Sequence, residues 1–266
     1  MKTRRCPLWV VVFAAVLFVQ GCSFPAVQEE LLLEAAKKKF KQGDYAGSVR
    51  DCSQLIAMEP EDAAPYHLRG LGRQALSDLR GALQDFDSAA EHQPWNDVVF
   101  RSRVNARLAL LDSLEGPASE HPAGDPVLFR MQIVTTRIIL TRDLDGLLRI
   151  DPEDAWAHGE RGTRRFELGD AQGAIEDFTE VLRLEPEAGW AYYDRGLAEA
   201  ALEDYPAAIT DFTRVLTEDR SDGWAFYQRG LARIYAGDHD IGCSDLRRAL
   251  DLGVEESESA MEELCR

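Results

Sequence analysis

The sequence predicts an all-α protein, an α-α superhelical solenoid of about six stacked helical hairpins closed by a C-terminal capping helix. Two observations carry this prediction. A motif returns at a spacing of thirty-four residues: Ala174, Asp177 and Phe178 recur as Ala208, Asp211 and Phe212, and again as Gly242, Asp245 and Leu246. An Arg-Gly pair recurs upstream at the same spacing, as Arg161-Gly162, Arg195-Gly196 and Arg229-Gly230. A fixed period of this length marks one helical hairpin copied and stacked, and such stacks present extended surfaces suited to holding other proteins.

Residues 1–21 read as a removable leader rather than as part of the fold. Lys2, Arg4 and Arg5 precede an uncharged apolar run from Leu8 to Val19. The run is shorter than the roughly 20 residues that a helical span needs, and it has the form of a secretory signal. Val19-Gln20-Gly21-Cys22 resembles the lipobox of bacterial lipoproteins. The resemblance implies cleavage after Gly21, a diacylglycerol on the Cys22 sulfur and an acyl chain on its new amino group. The alternatives are an uncleaved apolar anchor or ordinary secretion. Three acyl chains exceed the two signals needed for stable membrane attachment. In enterobacterial lipoproteins an Asp after the lipidated Cys favours the inner membrane. Ser23 therefore implies the outer membrane, with the body facing the periplasm. The first helix is read from about Gln28, which leaves 22–28 as a short tether; Ser23 to Val27 reaches ~15–18 Å when extended.

The repeats are assigned to 29–62 and 63–96, then 155–188, 189–222 and 223–256, with a capping helix over 255–266. In the second helix of each hairpin a small residue (Ser48, Ala82, Ala174, Ala208, Gly242) precedes a larger apolar one (Cys52, Phe86, Phe178, Phe212, Leu246). The small residue lets the paired helices approach, and the larger one fills the space between them. Pro60, Pro94, Pro152 and Pro186 end the second helices, with Arg220 in the next copy, because proline cannot continue a helix. Gly43-Asp44-Tyr45 and Gly169-Asp170 are read as the tight turns inside hairpins. Residues 97–154 fit one degenerate repeat that carries twenty-four extra residues. Its second helix is read as longer, from about Val127 to Ile150, with a kink near Thr141. Leu128, Met131, Val134, Ile138 and Leu140 to Leu144 give that helix a broad apolar face, read as buried inside the insertion, with a bend or a subunit contact as the alternatives.

These residues resemble tetratricopeptide repeats across most of the chain after the leader, in a variety that carries Arg-Gly in the first helix. The resemblance implies that the first helices line a concave groove. The positions that map onto it are Trp156, Trp190 and Trp224, then Tyr193, Tyr227, Leu231 and Tyr235. The alternative for the Trp residues is packing between helices. The same mapping gives a basic N-terminal groove with Lys37, Lys41 and His67, where an acidic stretch of peptide would fit.

Two recurrent slots hold charge. Asp51, Asp85, Asp143, Asp177, Asp211 and Asp245 share one, and Arg69, Arg103, Arg161, Arg195 and Arg229 share the other. Pairing each Asp with the Arg of the following repeat leaves only the last Asp without a partner. Structural ion pairs Asp51–Arg69, Asp177–Arg195 and Asp211–Arg229 are therefore expected. Cys243 lies ten residues before Gly253 and Cys265 twelve after it, so an antiparallel turn brings them together and a disulfide is expected. An oxidising periplasm permits it. Cys52, in the aromatic slot, is expected to be a buried apolar residue.

The net charge is −17, and loss of the three cations of the leader leaves −20. A body this acidic is unsuited to nucleic acid and to lying flat on anionic lipid; either it solvates the outer faces or it favours basic partners. His67, His92, His121, His158 and His239 show no metal-ligand spacing, and no HExxH, CxxC, P-loop or GxSxG motif is present. The expectation is a non-enzymatic, cofactor-free, lipid-anchored scaffold or adaptor for envelope proteins or peptides. A self-associating structural or pilotin-like lipoprotein, and a carrier of a small ligand or glycan, are the alternatives.

Overall fold

The computed structural model describes residues 24–116 and 126–265. Residues 1–23, which include the expected leader and Cys22, residues 117–125 and Arg266 lie outside the described residues. The described residues form thirteen helices and no strands. They divide into two compact units with the boundary between Ala106 and Arg107, inside α5 (Asp97–Glu115).

The first unit holds the hairpins α1 (Phe24–Lys41) with α2 (Tyr45–Met58) and α3 (Ala63–Ala75) with α4 (Leu79–His92), followed by the start of α5. The second holds the rest of α5 with α6 (Pro126–Ile150). Three regular hairpins follow: α7 (Ala155–Glu167) with α8 (Ala171–Leu184), α9 (Gly189–Ala201) with α10 (Tyr205–Glu218), and α11 (Gly223–Tyr235) with α12 (His239–Asp251). The closing helix is α13 (Glu256–Leu264). α1 starts at Phe24, so residues 24–28 are helical and not a tether. Pro25 does not prevent this, because in the first turn its missing N–H has no intrahelical partner.

The period is written into local chemistry as well as into apolar pattern. Asp44, Asp78, Asp170 and Asp204 cap the second helices, each accepting from the backbone N–H three residues on. Asp154 and Asp222 cap first helices in the same way, Asp62 accepts from the Ala64 N–H two residues on, and Ala188 takes that slot without a side-chain bond. Such caps satisfy N–H groups that the helix leaves unpaired. The turn inside each hairpin needs one left-handed residue. Gly43, Gly169 and Gly237 supply it with φ of 82°, 86° and 98°, while Ser77 and Glu203 hold 65° and 62° at the same offset. The second helices α2, α4, α6, α8 and α10 each stop two residues short of Pro60, Pro94, Pro152, Pro186 and Arg220.

In three hairpins the glycine of the Arg-Gly pair, Gly70, Gly162 or Gly196, takes the edge of the aromatic ring. A Cβ on Gly162 would stand 2.9 Å from Phe178 Cε1, and one on Gly196 would stand 2.9 Å from Phe212 Cε1. Phe86, Phe178 and Phe212 are fully buried there, and Cys52 and Leu246 take the same place in the outer hairpins. Burial pushes the Cys52 thiol up to about 11, as suits a packing residue.

The ion pairs form within repeats, which corrects the expectation that Asp51, Asp177 and Asp211 pair with Arg69, Arg195 and Arg229 of the following repeats. Asp177 binds Arg161 at 2.6 Å, Asp211 binds Arg195 at 2.7 Å, Asp85 binds Arg69 at 2.6 Å and Asp245 binds Arg229 at 2.8 Å. A second basic residue, one helical turn after the first, completes most of these sites: Arg73 on Asp85, Arg165 on Asp177 and Arg233 on Asp245. The same slot gives Asp51 its partner Lys39 at 2.7 Å, and gives Asp143 its partner Arg107. Counting partners from the Arg-Gly slot alone misassigned the pairs, since this second slot supplies the two Asp residues that seemed to lack one. The junction is linked differently. Nη1 of Arg69, Arg195 and Arg229 donates to Ser53, Thr179 and Thr213 of the preceding repeat, and Nη1 of Arg161 to Asp145. One guanidinium fork thus holds its own hairpin and the one before it.

Glu199 breaks the second slot, standing where Arg165 and Arg233 stand. Its Oε2 is buried without a partner and its Oε1 lies 3.8 Å from Arg195. Burial, and then repulsion from Asp211, raise this carboxyl to about 7.

The insertion lengthens both helices of the third hairpin to 19 and 25 residues. α6 is one uninterrupted helix through Thr141, whose hydroxyl donates to the Arg137 carbonyl at 2.9 Å. Its C-terminal half is core, with Leu140, Leu144 and Leu147 fully buried. Its N-terminal half is not: Leu128, Met131, Val134 and Ile138 are exposed, so the insertion is not internally buried. Cys243 and Cys265 are joined in a disulfide that ties α13 to α12.

Candidate protein-interaction surface

The surface is built on the first helices of the last three hairpins. In α7, α9 and α11 the second residue is Trp156, Trp190 and Trp224, one turn before a charged or amide residue at Glu160, Asp194 and Gln228. Residues four apart on a helix share a face, so each Trp stands beside its own polar residue. The three Trp side chains are 37, 48 and 47% exposed. Large aromatics left half-bare at regular intervals are the groups on which protein interfaces concentrate their energy.

Packing and exposure coexist at these residues. Trp190 lies edge-on to Phe178 at 6.4 Å, and its ring covers Gly159 so closely that a Cβ there would stand 2.6 Å from it. Trp224 lies edge-on to Tyr227 at 5.7 Å, and Tyr193 to Phe212 at 5.6 Å. Tyr193 packs on the cluster of Ala208, Phe212 and Ala232. Tyr227 and Leu231 are half-buried, and Tyr235 is exposed with its ring 5.5 Å from that of Tyr205. The rings are therefore held in place by one edge and open on the other, a preorganised arrangement that lowers the ordering cost of binding.

Two cavities of about 450 Å³ open between these helices. The first is lined by Trp156, Gly159, Glu160, Thr163, Glu185 and Asp194 together with Trp190. The second is lined by Trp190, Tyr193, Asp194, Val215, Asp222 and Trp224. Trp190 and Asp194 belong to both. Neither lining contains a Lys or Arg. Burial alone raises the Asp194 carboxyl to about 6, with no hydrogen bond or ion pair to it among the described residues. Burial also raises Glu160, against the pull of Arg164 4.0 Å away.

Of the N-terminal residues expected in a basic groove, Lys37 and Lys41 lie on α1 and His67 lies on α3. Lys37 is exposed and paired with Glu34 at 2.8 Å, and Lys41 is exposed. His67 is half-buried: its Nε2 hydrogen-bonds the Ser102 hydroxyl at 2.9 Å, its ring lies 5.7 Å from Phe86, and burial lowers its basicity. Its role is to join α3 to α5. His158 is likewise structural, lying between the Asp177 carboxylate and the Pro152 carbonyl. Among the described residues there is no cluster of His, Cys, Asp and Glu fit for a metal ion, and no helix long and apolar enough to cross a membrane.

The carboxylates of the two cavities are the residues that sequence reasoning missed. The signal was present, since Glu160 and Asp194 recur at the repeat spacing four residues after a Trp.

The repeat geometry is matched by known proteins. The tetratricopeptide repeat family model matches residues 160–223. No curated protein matches the sequence. The structure is similar to that of YrrB, described as a tetratricopeptide-repeat protein with an unusual peptide-binding site: TM-score 0.62, 17% identity, 80% of this chain and 98% of that one. It is similar also to MamA, with TM-score 0.58, 17% identity, and 74% and 94% of the two chains. A tetratricopeptide repeat protein from Parabacteroides merdae aligns with TM-score 0.55 and 17% identity, over 84% and 79%. Residues 160–223 thus match the tetratricopeptide repeat family, and the described residues share the all-helical superhelical fold of tetratricopeptide-repeat structures. Such proteins typically serve as interaction scaffolds that bind proteins or peptides rather than as enzymes.

Proposed function

We propose that this protein is a lipid-anchored adaptor of the bacterial envelope, held by acylated Cys22 at the periplasmic face of the outer membrane, that docks protein partners on the Trp-lined face of α7, α9 and α11. The observation that carries the docking role is the row of half-exposed Trp156, Trp190 and Trp224, one per repeat, flanking two open cavities. The anchor rests on the Val19-Gln20-Gly21-Cys22 tetrad and the short leader before it. Crosslinking of intact envelopes followed by capture tests the docking role. Wild type is expected to retain specific adducts that a Trp190→Ala/Trp224→Ala variant, folded by circular dichroism, has lost. Identical adducts from both would count against it. Mass spectrometry of the captured chain tests the anchor: an N-terminus at Cys22 with three acyl chains is expected, and an intact Met1 terminus refutes it.

A second reading has an observation of its own. Leu128, Met131, Val134 and Ile138 leave an apolar stripe on the N-terminal half of α6, and exposed stripes of this kind mark contact surfaces. Self-association through α6 predicts a concentration-dependent sedimentation coefficient that Met131→Glu/Ile138→Glu abolishes. A concentration-independent monomer removes this reading and leaves the adaptor standing.

A further inference from the structure

The two cavities on the docking face differ from an ordinary aromatic groove in their charge. Their linings hold Glu160, Glu185, Asp194 and Asp222, with Trp and Tyr rings between them and no cationic side chain. Asp222 is committed to the Ala225 N–H as a helix cap at 2.9 Å, and Glu160 is loosely held by Arg164 at 4.0 Å. Asp194, at the junction of the two cavities, has no partner among the described residues. In the recurrent aspartate slot, by contrast, Asp85, Asp177 and Asp245 each receive two arginines. A half-buried carboxylate with no cation supplied by its own chain, beside the π-faces of Trp156, Trp190 and Trp224, lacks one component, a positive charge. Indole faces attract ammonium and guanidinium groups, and a carboxylate in a partly desolvated site holds them by charge-assisted hydrogen bonds.

We infer that the face of α7, α9 and α11 selects an extended protein segment that carries Lys or Arg side chains, which enter the cavities between Trp156, Trp190 and Trp224 and pair with Asp194 and Glu160. This rests on the reading of that face as the docking surface and specifies what docks there. Binding of the cation holds Asp194 in its ionised form. Since burial places that carboxyl at about 6 in the unliganded protein, affinity rises as pH increases through 6 and falls below it. The net charge of the chain attracts any polycation weakly at long range, but that attraction is not tied to these residues and is screened by salt.

The test uses the full chain purified in detergent and three synthetic ten-residue peptides of matched length, with alternating alanine and either lysine/arginine, glutamine or glutamate. Binding is read from quenching of tryptophan fluorescence at about 150 mM salt, near physiological ionic strength. The cationic peptide is expected to saturate the signal and to bind at least about tenfold more tightly than the glutamine peptide, roughly the worth of one cation–π or charged contact. Asp194→Asn/Glu160→Gln should remove that tenfold preference, while Glu258→Gln/Glu262→Gln, which removes the same charge from exposed sites on α13, should leave it. The preference should also weaken between pH 7 and pH 5 in wild type and not in the Asn/Gln variant. Equal binding of the cationic and glutamine peptides, or equal loss in both double variants, overturns the inference. The docking reading fails separately: if envelope adducts survive Trp190→Ala/Trp224→Ala the face is not the docking surface, whereas if they are lost there and kept in Asp194→Asn/Glu160→Gln, the face docks its partner without reading positive charge.

Discussion

Ser77 and Glu203 occupy the left-handed turn position that Gly43, Gly169 and Gly237 fill elsewhere. A side chain there costs about 1 kcal/mol, so Ser77→Gly and Glu203→Gly are each expected to raise stability by about that amount in denaturant titration. Glu199 is the other residue out of keeping with its repeat. It faces Asp211 where the equivalent residues Arg73, Arg165 and Arg233 face Asp85, Asp177 and Asp245. Its carboxyl is raised to about 7, first by burial, and that of Asp194 to about 6. Both groups are harder to ionise in the folded chain than in the unfolded one. The folded state therefore holds protons that the unfolded state releases, and the stability linked to these groups is lost as pH rises through 6 and 7. Glu199→Gln should flatten that decline. Glu199→Arg, which supplies Asp211 with a second guanidinium, should gain about 1 kcal/mol at pH 7. No change in the pH profile of either variant would mean that Glu199 reaches solvent and is not confined beside Asp211. Such departures are readable in sequence only once the second basic slot is known. A count based on Arg-Gly alone hid that slot and sent Asp177 and Asp211 to the wrong arginines.

At the level of helices and hairpins, most of the architecture could be read directly from spacing. Repeating apolar and small residues placed Phe86, Phe178 and Phe212 in the cores of their hairpins; that Gly162 and Gly196 face the rings of Phe178 and Phe212 comes from the packing. Replacing Phe212 with Ala should cost about 3–5 kcal/mol, the range for emptying a buried aromatic site. The Cys243–Cys265 disulfide was also legible, since it follows from an antiparallel turn at Gly253. It closes a chain separation of 22 residues, which corresponds to about 3 kcal/mol in the loop-entropy view. Reduction, or Cys265→Ser, should leave α1 to α12 folded and increase hydrogen exchange in α13. Exchange unchanged in α13 would show that Val254 and Ser257, both buried, hold the cap without it. The third hairpin was less legible because its repeat carries extra residues, and periodicity cannot say whether an apolar stripe faces core or solvent. Spacing put Leu144 and Leu128 on one long helix; only the packing shows Leu144 buried and Leu128 bare.

For the molecule as a whole, the account joins a repeated scaffold to one working face. The scaffold is held by apolar cores within hairpins and by arginine forks that bridge hairpins. The face is what remains when these needs are met: indole rings anchored by one edge, and Asp194, to which the described residues supply no arginine. Sequence reasoning found the rings through their repeat register but not Asp194 or Glu160, because an acidic residue on an acidic protein carries no mark of its own until burial is known. At the N-terminal positions expected to form a basic groove, Glu34 engages Lys37 and Ser102 engages His67. The central claim is that partners contact the face of α7, α9 and α11. Site-specific photo-crosslinking in living cells tests it most directly, with the probe placed in turn at Trp190, at Trp224 and at the half-exposed Glu180 of α8. The account predicts a discrete protein adduct from positions 190 and 224 and none from 180. Adducts from 180 alone, or equal adducts from all three, would contradict it.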